Sequence, residues 1–357
     1  MTASRARPRD QARPRQRTIR LGRVVLRVER RSLRVGGALV AAIVVAASGA
    51  LLIGDYPLTP LEALRSLLGW GDDPLGQFFV QQQRAPRIVA AGLVGAALGL
   101  SGGIFQSLSA NPLGSPDVIG FTTGAATGAL FQIMVFGGGP AAVAVGAVLG
   151  GFVSATVVYA LAWRRGLAGF RLVLVGVGVA ASLQGLNALL IVRASLAAAQ
   201  TAAVWLAGSF NATGWAEASL VALAVAVLGP AALVLARPLG VMTMGDELAT
   251  GLGLRVERRR LELVLVGVAL VSLAVAAAGP ISFVALAAPQ LARRLSGASG
   301  AGLANAGIMG ALLVLVSDIV AQRIFAPTQL PVGVVTGALG GVYLIWLLAR
   351  EWRKGSA

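Results

Sequence analysis

The chain has 357 residues, 57% apolar and 12% charged, with a mean hydropathy of +0.81 and a formal net charge of +16. Soluble domains carry about 25% charged residues, so this composition excludes an ordinary soluble fold and points to a polytopic membrane protein. Cysteine and histidine are absent, which excludes disulfides, thiolate chemistry and imidazole metal sites or bases; the single lysine, Lys354, lies in no G-x-x-x-x-G-K-[ST] phosphate loop.

Twelve of the 30 basic residues fall in the first 34 positions, with Pro8 and Pro14 among them. A basic tail against a membrane helix reads as a topology or lipid-contact signal rather than a nucleic-acid site, and its start is expected to be disordered. The first apolar run follows this tail and is succeeded by many others, so it is a retained span and not a cleaved signal peptide.

Apolar runs predict ten spans, near 35–54, 88–107, 119–136, 141–162, 172–192, 217–236, 261–278, 281–292, 303–320 and 332–349. Between the first two, residues 55–83 carry Asp55, Glu62, Asp72 and Asp73, and Thr59-Pro60-Leu61-Glu62 has the form of a helix start. Small residues at Gly92, Gly95, Ala96, Gly99, Gly102 and Gly103 give the second span a surface that a neighbouring helix can approach closely. Residues 197–207 are an apolar core within the long connection 193–216 and predict a short helix at the outer surface.

The eighth run is too short to cross alone. Gly279-Pro280 opens it and Pro289 interrupts it. Broken helices persist in membranes only where protein or a water-filled cavity satisfies the freed backbone groups, so Gly279, Pro280 and Pro289 are candidate gate or hinge residues, with a buried packing kink as the alternative.

Ten spans with the N-terminus inside would place 25 basic residues on the inner side and only Arg65, Arg84, Arg87, Arg193 and Arg323 outside. That bias predicts cytoplasmic termini. Glu217, Glu262 and Asp318 sit near predicted span ends, so deep ionisable residues are scarce. This counts against an ion-coupled carrier, which usually needs buried acids or bases, without excluding one. No Ser or Asp pair stands in a catalytic context, which argues against an intramembrane enzyme.

The inner side also receives a polar island, residues 237–260, longer than a bare connection requires. Asp246 and Glu247 suit the N-terminus of a short helix, Leu248 and Leu252 share a face at i,i+4 spacing, and Gly251 and Gly253 can end it. The plain alternative is a basic loop that only sets topology.

From Arg84 to Leu130 the residues RAPRIVAAGLVGAALGLSGGIFQSLSANPLGSPDVIGFTTGAATGAL closely resemble the iron-siderophore and cobalamin permease family of bacterial ABC importers. Arg84, Pro86 and Arg87, the run Gly95–Gly102, Gln106, Asn111–Leu113, Pro116, Gly120, Gly124 and Ala125 stand at the pattern positions. Trp205-x-x-Gly208-Ser209, Gly279–Val284 and Leu330–Thr336 continue the resemblance, which covers residues 35 to 350; NPLGSPDVIGF, MGDELATGLGLRVER and QLPVGVVTGALGGVYLIWLL look most like its ferric enterobactin branch.

The resemblance implies an all-α permease domain of about ten helices over 35–357 behind the basic tail 1–34, in a bacterial cytoplasmic membrane. It implies import of a ferric siderophore of the catecholate class, with cobalamin or haem as the alternative cargo. This chain would bind no cofactor; ATP and Mg²⁺ would sit on two cytoplasmic ABC ATPase subunits. Further partners would be a second, paralogous permease subunit, an extracytoplasmic binding protein and membrane lipid, with no nucleic acid.

Within the island, Gly245, Asp246, Glu247, Leu248, Ala249, Leu252 and Gly253 match the ATPase-coupling loop. Arg84 and Arg87 are expected at the binding-protein docking face, because arginine suits a paired carboxylate; the alternative is that they anchor the helix or pair with Asp72 and Asp73. Ser101, Gln106, Thr122, Thr123 and Gln184 are the expected path-lining positions, helix packing being their alternative.

Overall fold

A computed structural model describes residues 16–21, 24–54, 56–70, 73–163, 169–297 and 300–355. The expected disorder at the start of the tail, Asp55 and Asp72 lie outside them. Within the tail, β1 (Gln16–Leu21) and β2 (Val24–Glu29) pair antiparallel ahead of the first helix. Every later regular element among the described residues is a helix.

Each of the ten apolar runs falls on a helix. These are α1 (Arg30–Leu52), α4 (Ala85–Leu108), α5 (Phe121–Met134), α6 (Pro140–Ala162), α7 (Gly169–Arg193), α9 (Trp215–Met242), α11 (Val256–Ala278), α12 (Val284–Ser296), α13 (Leu303–Arg323) and α14 (Val332–Gly355). Among the described residues, seven helical stretches are long and apolar enough to cross a membrane: α1, the continuous rod Pro74–Leu108, α6, α7, α9, α11 and α13. With 14 and 13 residues, α5 and α12 are too short to span alone.

The connections carry structure of their own. The expected helix start is α2 (Pro60–Leu68), and Thr59 and Glu62 close a capping box there: Glu62 Oε2 accepts from the Thr59 N–H at 2.8 Å and Thr59 Oγ1 accepts from the Glu62 N–H at 3.4 Å. Asp73 caps α3 (Pro74–Phe78) through the Leu75 N–H and also accepts from the Tyr56 hydroxyl at 2.8 Å. A π-helical turn, Phe79–Arg84, joins α3 to α4. The short outer helix foreseen at 197–207 is α8 (Leu196–Leu206), capped by Ser195.

The core is built around α4. Its small residues let α13 lie against it antiparallel: a Cβ at Gly95 would strike the Gly310 carbonyl, and one at Gly99 the Ala306 carbonyl. On another face, a Cβ at Gly102 would strike the Ala285 carbonyl of α12. Close backbone approach of this kind supplies dispersion contact where lipid offers no hydrophobic gain. Phe105 and Phe121, both fully buried with ring centroids 5.0 Å apart, pack the first residue of α5 against the end of α4.

Candidate functional site

The polar island folds as the sequence grammar predicts. Beyond the expected run, α9 continues through Pro238 to Met242. Gly245 (φ +115°) then turns the chain into α10, Asp246–Gly251. Leu252 closes α10, and Gly253, at φ +83°, redirects the chain toward α11. Both glycines hold backbone conformations that side chains disfavour.

Ala249 is fully buried against the bundle, whereas Met244, Leu248 and Leu252 are exposed, Leu252 at 67%. The result is an apolar ridge on a seated one-and-a-half-turn helix. Seating comes from Arg260, whose side chain is 7% exposed. Its Nη2 donates to both carboxylate oxygens of Asp246 at 2.9 Å and its Nη1 donates to Glu257 Oε1 at 2.9 Å. Arg258 and Arg259 pair instead with Glu262. Arg260 therefore turns back into the island rather than reaching along α11 toward the membrane.

A second constellation surrounds the broken helix. Gly279 (φ +70°) ends α11, residues 279–283 are non-helical, and Phe283 enters α12 at φ +68°. Ser209 N–H donates to the Ala278 carbonyl at 2.8 Å, and Gly333 N–H to the Gly208 carbonyl at 3.1 Å. A Cβ on Gly279 would meet the Trp205 carbonyl, and one on Gly333 the Ala207 carbonyl. Three segments, the end of α8, the 279–283 break and the start of α14, thus meet backbone to backbone, satisfying groups that the break frees. Gly279 and Pro280 belong to this junction. Pro289 does not: it is buried inside α12, which continues past it.

The expected path residues divide. Ser101 is fully buried and donates to the Gly267 carbonyl at 2.8 Å. Gln106 is buried as well. Its Nε2 donates to the Leu286 carbonyl at 2.9 Å and its Oε1 accepts from Gln290 and Arg293, tying α4 to α12. Thr122, also buried, donates to Asp117 Oδ1 at 2.6 Å. These three side chains are buried inside this chain: Ser101 and Gln106 bond to other helices, and Thr122 bonds to the segment that leads into its own helix. Thr123 is half-buried and Gln184 exposed, so those two remain available.

The two arginines at the start of α4 are also held by internal bonds. Arg84 is 8% exposed and donates to the Leu51 carbonyl at 2.7 Å and the Tyr56 carbonyl at 2.5 Å. Arg87 forms a two-pronged bond with Asp318, 2.8 Å on each side, and donates to Gln329 Oε1 at 2.9 Å. Bonding partners of the two guanidinium groups include the Leu51 and Tyr56 carbonyls for Arg84, and Asp318 and Gln329 for Arg87. They brace the outer end of α4 against α1 and α13.

Sequence reasoning overlooked two groups. The Arg260–Asp246 clamp spans 14 positions across a turn. Asp117 follows Pro116 in the non-helical lead to α5, and a lone acid between two apolar runs was its available signal.

A fold of apolar helices packed through glycine, with a short seated helix between two of the spans, defines a polytopic membrane protein. The family model for the FecCD transport family matches residues 38–350, and the chain belongs to that family. It is 48% identical over 328 residues to the ferric enterobactin transport system permease protein FepG of Escherichia coli, covering 92% of this chain and 99% of the relative. Identity to the achromobactin transport system permease protein CbrC of Dickeya dadantii is 39% over 317 residues, covering 88% and 89%. The hemin transport system permease protein HmuU of Yersinia pestis is 34% identical over 283 residues, covering 76% and 84%. Among solved structures, an inward-facing metal-chelate-type ABC transporter superposes with a TM-score of 0.80 at 27% identity, covering 89% of this chain and 99% of that one. The protein is a multi-pass permease subunit of the ABC transporter class, in the cytoplasmic membrane.

Proposed function

We propose that this chain is the translocation subunit of an ATP-driven importer of ferric siderophores of the catecholate class. The observation that carries the reading is α10: an exposed apolar ridge, Leu248 and Leu252, on a helix held rigidly by buried Ala249 and the Arg260 clamp. A short amphipathic helix with fixed footing suits insertion into a groove of a soluble partner, and partner closure would then move α9 and α11 as a lever.

The partners would be two cytoplasmic ABC ATPases holding ATP and Mg²⁺, a second permease subunit paralogous to this one, and an extracytoplasmic binding protein. Termini and α10 lie on the cytoplasmic side in this reading, as the arginine distribution favours. Similarity to the enterobactin and achromobactin permeases supports siderophore cargo; similarity to the hemin permease makes haem the competing cargo.

Reconstitution into vesicles with candidate ATPases and binding proteins, followed by uptake of radiolabelled iron as ferric catecholate, tests this. Uptake that needs ATP and the binding protein is expected. Haem uptake in preference to ferric catecholate would overturn the cargo, and uptake persisting without ATPase subunits would overturn the class.

A further inference from the structure

We infer that α2 is an interfacial helix: its exposed leucine face lies in the lipid headgroup layer, on the side of the bilayer opposite α10. The inference needs only the membrane class of the protein and stands apart from the cargo and coupling readings above.

Leu61, Leu64 and Leu68 recur at i, i+3 and i+7 and so share one face of α2. Each is half or more exposed. Ala63 and Ser66, turned the other way, are buried where α2 packs against α3 and the π-helical turn. The exposed face is thus aliphatic and points away from the rest of the chain. Such patches mark contact with protein or with lipid, and depth decides between the two here.

The first span supplies the ruler. From Val35 to Leu52 it carries no charge and rises about 27 Å, close to the roughly 30 Å of a hydrocarbon core. Leu52 therefore marks the far edge of the hydrocarbon. Arg84, buried, donates to the Leu51 carbonyl at 2.7 Å, which puts the entrance of α4 at the same edge. Gln81 stands less than one turn farther out, within about 5 Å, and its Nε2 donates to the Ser66 carbonyl at 2.7 Å. That bond holds α2 at the height of the headgroups, a layer about 5–8 Å deep on each side. Interfacial helices bury their apolar face at this depth.

Two tryptophans stand at the same height. Trp215, the first residue of α9, donates from Nε1 to the Gln81 carbonyl at 2.8 Å. Trp70 follows the Gly69 cap of α2 and is 75% exposed. Tryptophan favours the headgroup level. From there α9 runs to Met242 and the turn into α10, so α2 and α10 lie on opposite sides. Through Gln81, a lipid seat under α2 sets the height of the rod that carries the core.

The chain contains no cysteine, so one introduced residue is its only site for a spin label. The test places Leu61→Cys, Leu64→Cys and Leu68→Cys, in the full chain, in nanodiscs of phosphatidylethanolamine and phosphatidylglycerol. Collision with oxygen, which enters lipid, is compared with collision with a water-soluble nickel chelate. Val45→Cys, on the exposed side of α1, is the lipid reference, and Leu252→Cys, exposed on α10, is the water reference. The oxygen-to-nickel ratio at all three α2 positions is expected to exceed that at Leu252→Cys on the order of tenfold, as seating at the acyl boundary implies.

Ratios equal to the water reference would overturn the proposal. So would labels shielded from both agents, which would mean that a protein, a second permease subunit or a soluble partner, covers the face. A second measurement needs no cysteine: lipid brominated near the headgroup should quench wild-type fluorescence more than that of Trp70→Phe. Equal quenching of the two would overturn the proposal even if the labelled variants failed to insert.

Discussion

Arg260 grips both carboxylate oxygens of Asp246 at 2.9 Å and so staples α10 to the first turn of α11. The arginine is buried and the aspartate half-exposed, so loss of Asp246 strands a cation that only Glu257 then answers. Arg260→Met is expected to cut cargo-stimulated ATP hydrolysis about tenfold, the effect of about 1.4 kcal/mol of lost positioning. Exposed Arg258→Met should stay within about twofold, as exposed pairs contribute little. Side-by-side ATPase assays of the reconstituted variants check this, and equal losses in both would dissolve the special role of Arg260.

Leu252 projects from the end of α10 with 67% of its surface exposed. A charge there meets no internal contact, so Leu252→Asp should insert and fold normally while losing coupled ATP hydrolysis. Membrane yield and thermal stability measured beside ATPase activity separate the two; wild-type coupling would sink the lever reading.

The Arg87–Asp318 pair is nearly enclosed, with side-chain exposures of 12% and 3%. Removing one partner leaves the other buried and uncompensated, so Asp318→Ala should destabilise the chain by about 3–5 kcal/mol. The double variant Arg87→Met/Asp318→Leu should recover most of that in thermal unfolding, because the isolated charge is gone as well.

Outside the membrane, the excursion formed by α2 and α3 has an acid dependence of calculable sign. Hydrogen bonds from Thr59 hold Glu62 below its ordinary value, and the Tyr56 hydroxyl does the same for Asp73. A carboxylate depressed in the folded state contributes stability above its unfolded pKa and loses it as pH falls through the folded one. Amide protection factors over residues 59–70 and 73–79, corrected for the intrinsic pH dependence of exchange, should therefore be flat near neutrality and fall below about pH 4. Asp73→Asn should remove part of that dependence.

At the backbone junction, Gly333 faces the Ala207 carbonyl with no space for a side chain. Gly333→Val is expected to cost about 1–3 kcal/mol by forced separation of α14 from the α8 turn. Gly337→Val, where a Cβ meets open space, is the control, and similar unfolding temperatures for the two would contradict the junction.

Local chemistry was the legible part. The helix start at Thr59–Glu62, the α8 segment and the Asp246 start of α10 follow from spacing within one turn, and the apolar runs follow from the bilayer's thickness. Illegible were partners far apart in sequence. Asp318 lies 231 positions from Arg87, and Gln106 meets Arg293 across 187, so neither pairing leaves a local trace. Polar residues on glycine-rich helices look equally suited to line a path or to bond within the chain; Ser101 meets the Gly267 carbonyl across 166 positions, which leaves no local trace, whereas Thr122 bonds to Asp117 five residues before it. The late starts of α5 and α12 were hidden because apolar leads such as Ile119-Gly120-Phe121 read as helix from hydropathy alone.

The contact between α4 and α13 is made by main chain against main chain at Gly95, Gly99 and Gly310. At those three positions there is no rotamer to exchange, and the enclosed Arg87–Asp318 pair pins the same two helices farther along. The pair behaves as a keel, and whatever opens and closes during a transport cycle must be distributed among the elements hung from it.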